Sequence, residues 1–463
     1  MEPTSGKFTQ NARRAIGDQR LQAALANFTT TFPKKRLDVI GRLPEFDALR
    51  DEGVAIKTHV QANLEFYLAR FEERVSEQGG TVHWCRDASE ARETILGLCR
   101  AANAKTVTKS KSMIGEEIAI NEHLEAAGIE AVETDLGEYI IQIRGESPSH
   151  ILVPAIHLTG PDIADTFKDK HAELPANRDL SEPEAILREA RAVLREKFLT
   201  ADVGLSGANM LIAETGSAVV VTNEGNADLV MNLPKTHIVL ASIEKVMPTL
   251  EDAATILRLL ARSATGQDIT AYTTFASGPA REGETDGPQD FHVVLLDNGR
   301  TEMLANDFTD MLGCIRCGAC LNHCPVYATV GGHAYGWVYS GPMGKVLTPD
   351  LLGAHKAADL PNASTFCGKC EEICPMRIPL PRMMRHWRER QFMEGKGAAA
   401  KGKSGLKLWA WMAKRPALYR MAASAAAGFL GLLGKGKGRI GRLPVPEGRT
   451  FQAQYRENAG EDQ

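Results

Sequence analysis

The chain has 463 residues, a length that predicts two or three domains rather than one. Hydrophobic residues make up 43% and charged residues 24%, as in soluble globular proteins, and the net charge of -4 says little by itself. The distribution of charge says more, because fifteen Lys or Arg stand against two Asp or Glu between Arg382 and Arg442.

The first twenty residues contain no apolar core, so they do not predict a secretory signal. No run reaches about 18 apolar residues, which excludes a predicted membrane-spanning helix. Seven of the nine cysteines lie between residues 314 and 374. Such bunching argues against a disulfide framework and indicates metal binding in a reducing compartment.

The first part of the chain alternates in character. Residues from about 10 to 75 predict amphipathic helices, and the glycines at 79 and 80 end them. Short β-branched runs then alternate with helical stretches, which predicts βαβ units and a parallel sheet. The predicted strands are TVHWC, KTVTKS, IEAVET, HILVPAIH, AVVV, HIVLA and FHVVLLDNG.

These elements divide the chain into four predicted regions. Residues 1–70 form a helical region and residues 71–300 an α/β domain. Residues 301–390 hold the bunched cysteines, and residues 391–463 form a basic C-terminal extension. Its first part, residues 391–404, has the Gly- and Lys-rich composition of a flexible linker.

The cysteines occur in two related runs. The first, Cys314 to Cys324, has the spacing C-x2-C-x2-C-x3-C-P of bacterial ferredoxins. The second, Cys367 to Cys374, repeats it, except that Ser364 stands where the first cysteine belongs. A zinc ribbon needs two C-x2-C pairs and explains neither the third cysteine nor the Cys-Pro ending. The runs therefore predict two iron–sulfur clusters.

Ligand exchange between the runs follows from the ferredoxin pattern, in which the fourth cysteine of each run binds the other cluster. The last cysteine of each run thus joins the first three positions of the other. The predicted ligands are Cys314, Cys317, Cys320 and Cys374 for cluster one, and Cys324, Cys367 and Cys370 for cluster two.

The fourth position of cluster two falls on Ser364 and leaves several readings open. The serine oxygen could bind iron, the fourth iron could be absent, or it could carry water, a substrate or a partner's group. Alternatively, Ser364 only caps the loop, and His333, His355 or Asp359 supplies the ligand. We favour a 4Fe–4S cluster with a non-cysteine or exchangeable ligand.

Together with the cysteine runs, several longer stretches resemble the iron–sulfur subunit family called lactate utilization protein B. The resemblance covers about residues 60–390 and implies a LUD-type α/β domain related to CoA-transferases and sugar-phosphate isomerases, followed by a helical ferredoxin-like domain. The matching stretches outside the first cysteine run are residues 108–113, 133–157, 207–229, 292–300 and 362–381.

The resemblance also implies a function, which is electron transfer in a cytoplasmic three-protein complex that oxidises L-lactate to pyruvate. The implied partners are a subunit with cysteine-rich repeats and a small LUD-domain subunit. As alternatives, the chain is itself the catalytic subunit, a scaffold or redox sensor, or acts on another 2-hydroxyacid or a disulfide. No G-x-G-x-x-G fingerprint of a nicotinamide or flavin site follows a predicted strand.

The α/β domain offers further candidate residues. Glu214 precedes Gly216 in a turn that resembles the nucleophile turn of CoA-transferases, although a plain structural turn is the simpler interpretation. A milder hypothesis has Glu214, Thr215, Asn223 and Glu224 lining an anion or hydroxyacid pocket at strand ends.

Basic residues near other strand ends are candidates as well. Lys109, Ser110 and Lys111 could hold a carboxylate or phosphate, or form a solvated loop. His157 could accept a proton from a hydroxyacid, and Arg144 could pair with a carboxylate, although structural roles compete with both.

Two further features complete the sequence. Cys85 and Cys99 lie on apolar stretches outside any cluster spacing and are predicted to be buried thiols. The basic, Trp-containing tail predicts docking to a partner subunit, with contact to an anionic membrane surface as the alternative. It lacks interleaved aromatic residues of the kind that read nucleic acid.

Overall fold

The structure is a computed structural model that describes residues 3–394, 398–434, 439–440, 443–444 and 448–461. Its chain divides into two compact units, Met1–Arg390 and Gln391–Gln463, each of which is treated by itself.

Helices fill the N-terminal region, as the amphipathic pattern predicts. Helix α2 begins after Asp18, whose carboxylate accepts hydrogen bonds from the backbone N–H groups of Arg20 and Leu21. In α4, Phe71 and Val75 are completely buried against the sheet that follows. The bounds are α1 Phe8–Gly17, α2 Gln19–Gly41, α3 Phe46–Ala62 and α4 Leu64–Glu77.

A six-stranded parallel sheet forms the centre of the α/β domain, with the strand order β1-β10-β7-β4-β2-β3. Its inner strands β4 and β7 are buried almost throughout, because helices cover both faces. Gly204 in β4 lies where a Cβ atom would be 1.9 Å from the Val230 carbonyl oxygen. The bounds are β1 Thr81–Cys85, β2 Thr106–Lys109, β3 Glu130–Glu133, β4 Val203–Gly207, β7 Thr236–Ser242 and β10 Asp290–Leu296.

The order of these strands places a topological switch point between β2 and β4. From β2 the chain moves outward to β3, whereas from β4 it moves the opposite way, through β7 to β10. Open α/β sheets bind ligands outside the carboxyl ends of strands at such a point, because the two connections leave a crevice there.

A second, four-stranded sheet of order β8-β5-β6-β9 mixes parallel and antiparallel pairs. Its bounds are β5 Met210–Ile212, β6 Ser217–Thr222, β8 Val246–Met247 and β9 Tyr272–Ala276. The helices of the domain are α5 Ala88–Ala101, α6 Met113–Glu117, α7 Ile120–Ala126, α8 Leu136–Arg144, α9 Gly160–Lys170, α10 Pro183–Thr200, α11 Asn226–Asn232 and α12 Leu250–Ala264.

One predicted strand is wrong. Residues 150–157, HILVPAIH, form turns and pair with no sheet. The His150 ring nitrogen Nδ1 accepts hydrogen bonds from the backbone N–H groups of Leu152 and Val153, and Pro154 has no N–H to donate. Local hydrogen bonds thus take the donors that a strand ladder would need.

The cysteine region is helical and shares a hydrophobic core with the N-terminal helices. The Gly- and aromatic-rich insert between the cysteine runs is buried, with Tyr335 and Tyr339 completely inaccessible to solvent. The helix bounds are α13 Arg300–Leu304, α14 Ala319–Asn322, α15 Pro325–Val330, α16 Gly341–Leu352, α17 Lys369–Glu372 and α18 Leu380–Glu394.

The C-terminal unit contains a longer apolar helix than the sequence predicts. The stretch AASAAAGFLGLL belongs to α20, which has 18 residues and a mean hydropathy of 1.2 and is not buried. By length and composition alone α20 could cross a membrane, but one helix of this kind indicates a membrane-spanning segment only weakly. The flexible linker predicted at 391–404 is wrong for its described residues, because 391–394 belong to helix α18 and 398–404 to helix α19. Residues 395–397 lie outside the described residues. The bounds are α19 Ala398–Ala413, α20 Pro416–Leu433, β11 Arg439–Ile440, β12 Leu443–Pro444 and α21 Phe451–Glu461.

Candidate iron–sulfur centre

The two cysteine runs adopt the same backbone conformation. In the first run, Arg316 and Gly318 have positive φ angles of 58° and 71°. At the matching positions of the second run, Phe366 and Gly368 have φ angles of 56° and 79°. A left-handed conformation is costly for arginine and phenylalanine. Its occurrence at matching positions therefore indicates that the two runs form the same kind of loop, each folded around a bound group. Ser364 therefore stands in a genuine cluster-loop position.

Four cysteines line a first cavity, and they come from both runs. Its wall is otherwise apolar, with Met343 and Ile378 among the lining residues. The Cys374 sulfur accepts a hydrogen bond of 3.5 Å from the backbone N–H of Ile378, as cluster thiolates in proteins commonly do. The cysteines of this cavity are Cys314, Cys317, Cys320 and Cys374.

A second cavity receives the remaining cysteines of the runs, Cys324, Cys367 and Cys370, together with Ser364. The structure thus brings together both sets that exchange between the runs predicts. In the described residues, no three His, Cys, Asp or Glu side chains converge on a single ion. Each set borders a cavity instead, and the soft thiolate donors fit an iron–sulfur cluster. Which of these residues bind iron stays a prediction.

The thiol pKa values also reflect this grouping. Burial, followed by the nearby Cys324 thiol, raises the pKa of Cys370 to about 12. Burial, followed by Cys374, likewise raises the pKa of Cys317. Metal binding must therefore release protons from these thiols, which couples cluster assembly to pH.

Ser364 caps its loop and also borders the second cavity. Its hydroxyl oxygen accepts a 3.2 Å hydrogen bond from the backbone N–H of Phe366, so it caps the loop. It also lines the second cavity beside Thr365 and His323. These two neighbours are oxygen and nitrogen donors that the sequence analysis did not consider.

The other non-cysteine ligands considered for cluster two are not at this cavity. His333, His355 and Asp359 do not line it. His333 instead lies within hydrogen-bonding distance of the Ser147 carbonyl oxygen, at 2.7 Å, and Asp359 accepts a hydrogen bond from Thr9. These three residues therefore lose their support as cluster ligands.

Positively charged side chains lie beside the cysteines, and sequence reasoning missed them. The Lys345 ammonium nitrogen lies 3.6 Å from the Cys324 sulfur, and the lysine is 1% exposed. Arg50 donates hydrogen bonds to the Cys374 carbonyl oxygen at 2.8 and 3.2 Å. The only available signal in the sequence was a lysine within the apolar insert, GPMGKVL.

A buried ionic network joins the α/β domain to the first cysteine run. Arg300 donates two hydrogen bonds to the Glu117 carboxylate, at 2.9 and 2.8 Å, and lies 3.0 Å from Glu244. Glu244 also lies 3.3 Å from Arg316, and the hydroxyl of Tyr339 donates to Glu117. Burial opposes ionisation of Glu244, but Arg300 and Arg316 lower its pKa to about 2.

Glu214 takes the structural role of its turn. Its carboxylate is exposed and accepts a 3.0 Å hydrogen bond from the backbone N–H of Leu250, at the start of α12. Gly216 has a φ of 68°, as a plain turn requires, and the Thr215 hydroxyl bonds to Ser217. Neither Glu214 nor Thr215 lines the large cavity at the sheet ends.

That large cavity gathers the remaining strand-end candidates. Ser110, Lys111, Asn223 and Glu224 all line it. Lys109 does not face solvent but is buried and paired with the Glu133 carboxylate. Of the predicted basic loop, Ser110 and Lys111 therefore remain as candidates for ligand binding.

Arg144 and His157 meet at a different cavity, lined by Asp162 and His333 as well. Arg144 and His157 both contact Glu146, at 2.8 and 2.7 Å. His157 ends no strand, and Glu146 already occupies both side chains, so this site favours the structural roles.

Outside the cavities, Cys85 and Cys99 are buried as predicted, with burial raising the pKa of Cys99 to about 12.

Comparison with known proteins assigns both folded parts. Residues 68–296 match the LUD domain family, and residues 310–378 match the 4Fe-4S dicluster domain family. The chain is thus an iron–sulfur protein in which a LUD domain precedes a ferredoxin-type domain with two 4Fe–4S clusters.

Similar proteins extend over nearly the whole chain. Lactate utilization protein B of Lysinibacillus sphaericus is 42% identical, over 92% of this chain and 89% of that protein. The uncharacterized electron transport protein YkgF of Escherichia coli is 39% identical, over 98% and 97%. The chain belongs to the lactate utilization protein B family.

A solved structure adds little to this result. A duf162 family protein from Deinococcus radiodurans aligns with 50% of this chain and 98% of its own, at 15% identity and a TM-score of 0.28. At that TM-score the likeness carries no argument about this chain.

Proposed function

We propose that this chain is the iron–sulfur electron-transfer subunit of a cytoplasmic complex that oxidises L-lactate to pyruvate. The observation that carries the proposal is the pair of cavities, each lined by cysteines from both runs, in a chain so similar to lactate utilization protein B. When bound, the two clusters supply a path for single electrons.

The proposed ligands are those of the exchanged sets. Cys314, Cys317, Cys320 and Cys374 hold cluster one. Cys324, Cys367 and Cys370 hold cluster two, whose fourth ligand is a non-cysteine or exchangeable group for which Ser364 is a candidate. The apolar insert and α16 keep water from the sulfurs, while Lys345 places a positive charge beside cluster two.

The proposal includes the surroundings of the subunit. Its partners are a subunit with cysteine-rich repeats and a small LUD-domain subunit, and electrons leave to an acceptor outside the chain. The subunit has four regions in this proposal, residues 1–70, 71–300, 301–390 and 391–463. The domain matches at 68–296 and 310–378 support this division. The basic last region docks to a partner subunit or to an anionic membrane surface.

Electron paramagnetic resonance on the anaerobic complex, before and after L-lactate is added, tests this function. We expect lactate to produce the signals of reduced clusters, with about eight irons per chain on the same sample. Reduction by dithionite but not by lactate, in a complex with all three subunits present, would refute the lactate role.

The second candidate is a catalytic role, in which a hydroxyacid binds at an open iron beside Ser364. Its support is that the residues beside the three cysteines of the second cavity are Ser364, Thr365 and His323, none of which supplies a fourth thiolate. Replacing Ser364 with cysteine separates the two functions. An electron carrier tolerates the change with an altered potential, whereas an open-site catalyst loses turnover with lactate.

A further inference from the structure

A further cavity lies outside the cysteine sites, at the carboxyl ends of the parallel strands. Its volume of about 340 Å³ falls within the roughly 300–1,000 Å³ of ordinary ligand pockets. Its lining comes from Ser110 after β2, Asp135 after β3, Ala208 after β4 and Lys245 after β7. The cavity therefore opens at the switch point between β2 and β4, where α/β sheets bind ligands.

Three residues that line this cavity carry buried polar atoms without protein partners among the described residues. Among the described side chains, Ser110 Oγ, Asn226 Oδ1 and Arg316 Nη1 are buried and have no hydrogen-bond partner. Ser110 is 3% and Asn226 8% exposed, and the Arg316 side chain is 12% exposed. Leaving such atoms unpaired in the protein interior is costly, so their gathering around one cavity indicates that a ligand pairs with them.

The charges indicate how a ligand would be oriented. Arg316, which also pairs with Glu244 at 3.3 Å, and Lys245 bring positive charge to one end of the cavity, and Lys245 also donates to the Ala208 carbonyl oxygen. Near β3, Asp135 and Glu224 lie beside Asn226 as acceptors. An anionic group suits the first end, and hydroxyl or N–H donors suit the second.

The distance between the two ends excludes a very short ligand from bridging them. Asp135 follows β3 and Lys245 follows β7, with β2 and β4 between these strands. Three strand spacings amount to roughly 14 Å. The wall between them is apolar, with Leu152, Val221 and Leu260 among its residues.

We infer that this cavity binds an organic anion with an apolar body, a carboxylate or phosphate ester about as long as a mononucleotide. The acidic group of this ligand lies at Arg316, and its hydroxyl or N–H donors lie at Asn226. Arg316 stands between Cys314 and Cys317, and Ile151 and Leu152 of the cavity wall pack against the Gly318 position. The bound molecule therefore touches the loop that holds the proposed cluster one.

Calorimetry on the anaerobic holoprotein tests the inference, with FMN as the phosphate ester, L-lactate and pyruvate as short carboxylates, and inorganic phosphate as the control. We expect FMN to bind at micromolar concentration. Ser110→Ala should weaken binding about tenfold, the effect of one lost hydrogen bond to a ligand. Because Ser110 Oγ has no partner among the described residues, the variant should unfold at the wild-type temperature.

Ser263→Ala is the matched control, since Ser263 is also buried and unpartnered among the described residues but does not line the cavity. It should bind FMN like the wild type. Binding of lactate or pyruvate but not FMN, with the same sensitivity to Ser110→Ala, would show that the cavity takes a short acid and would overturn the inferred size of the ligand. Binding of none of the organic probes, or equal binding by both serine variants, would overturn the inference.

A second readout follows the loop itself. Saturation with the ligand should shift the resonance signal of the reduced cluster next to Arg316, whatever the activity of the complex. An unchanged spectrum at saturating ligand would contradict contact with the cluster-one loop.

Discussion

The ammonium group of Lys345 lies 3.6 Å from the sulfur of Cys324, at a site where the lysine is almost completely buried and also lies over the Tyr335 ring. A positive charge beside a cluster sulfur stabilises the reduced, more negative state of the cluster. Lys345→Met should therefore lower the reduction potential of cluster two, on the order of tens of millivolts.

Redox titration followed by electron paramagnetic resonance measures this shift. Lys369→Met is the control, because Lys369 lines the same cavity but pairs at the surface with Glu372, at 2.6 Å. Equal potentials in the wild type and the Lys345 variant would show that the lysine does not act on the cluster.

Ser364 gives a prediction that separates capping from ligation. Ser364→Ala removes the hydrogen bond to the Phe366 backbone N–H and should cost about 0.5–1.5 kcal/mol of stability. If the serine only caps the loop, the iron content stays at that of the wild type. Iron and sulfide analysis of Ser364→Ala beside Ser364→Cys measures this, and loss of iron in the alanine variant alone would identify the serine oxygen as a ligand.

The ionic network around Arg300 predicts a large stability effect. Arg300→Met leaves the buried Glu117 and Glu244 carboxylates without their main partner, which typically costs about 3–5 kcal/mol. Arg258→Met removes an exposed pair with Glu45 and should change stability little. Denaturant titration of both variants compares them, and similar midpoints would show that the network does not stabilise the fold.

His237 predicts a loss of stability in mild acid. Burial lowers the pKa of its ring to about 3 in the folded chain, below the 6.5 of an exposed histidine. Its contribution is therefore present above pH 6.5 and is lost as the pH falls from 6.5 toward 3, by about 2 kcal/mol at pH 5.

His237→Gln can retain the contact with the Ser206 hydroxyl, 2.8 Å from the ring nitrogen, without titrating. Melting temperatures between pH 8 and pH 5 should fall less steeply for this variant. His386→Gln, at an exposed site, serves as the control and should follow the wild type. Parallel pH profiles for all three proteins would contradict this origin of acid sensitivity.

The two sets of cysteines were predictable because the ferredoxin spacing, which a cluster imposes locally, indicates that the last cysteine of each run joins the other set. The parallel sheet was predictable for a similar reason, since buried β-branched runs alternate with helices. HILVPAIH misled because an apolar run does not reveal that His150 captures backbone donors. Lys345 and Arg300 could not be found, because their partners, Cys324 and Glu117, are distant in the sequence and meet them only in the folded chain.

The proposed exchange of cysteine ligands between the runs has a consequence for biosynthesis. Each cavity needs residues from both runs, so Cys374 must leave the ribosome before the first cavity has its fourth thiol. The first three cysteines then wait, reduced and unfilled, while the buried insert and the second run are made. Cluster delivery to this chain is thus a late step, and a protein truncated between the runs would lose both metal centres rather than one.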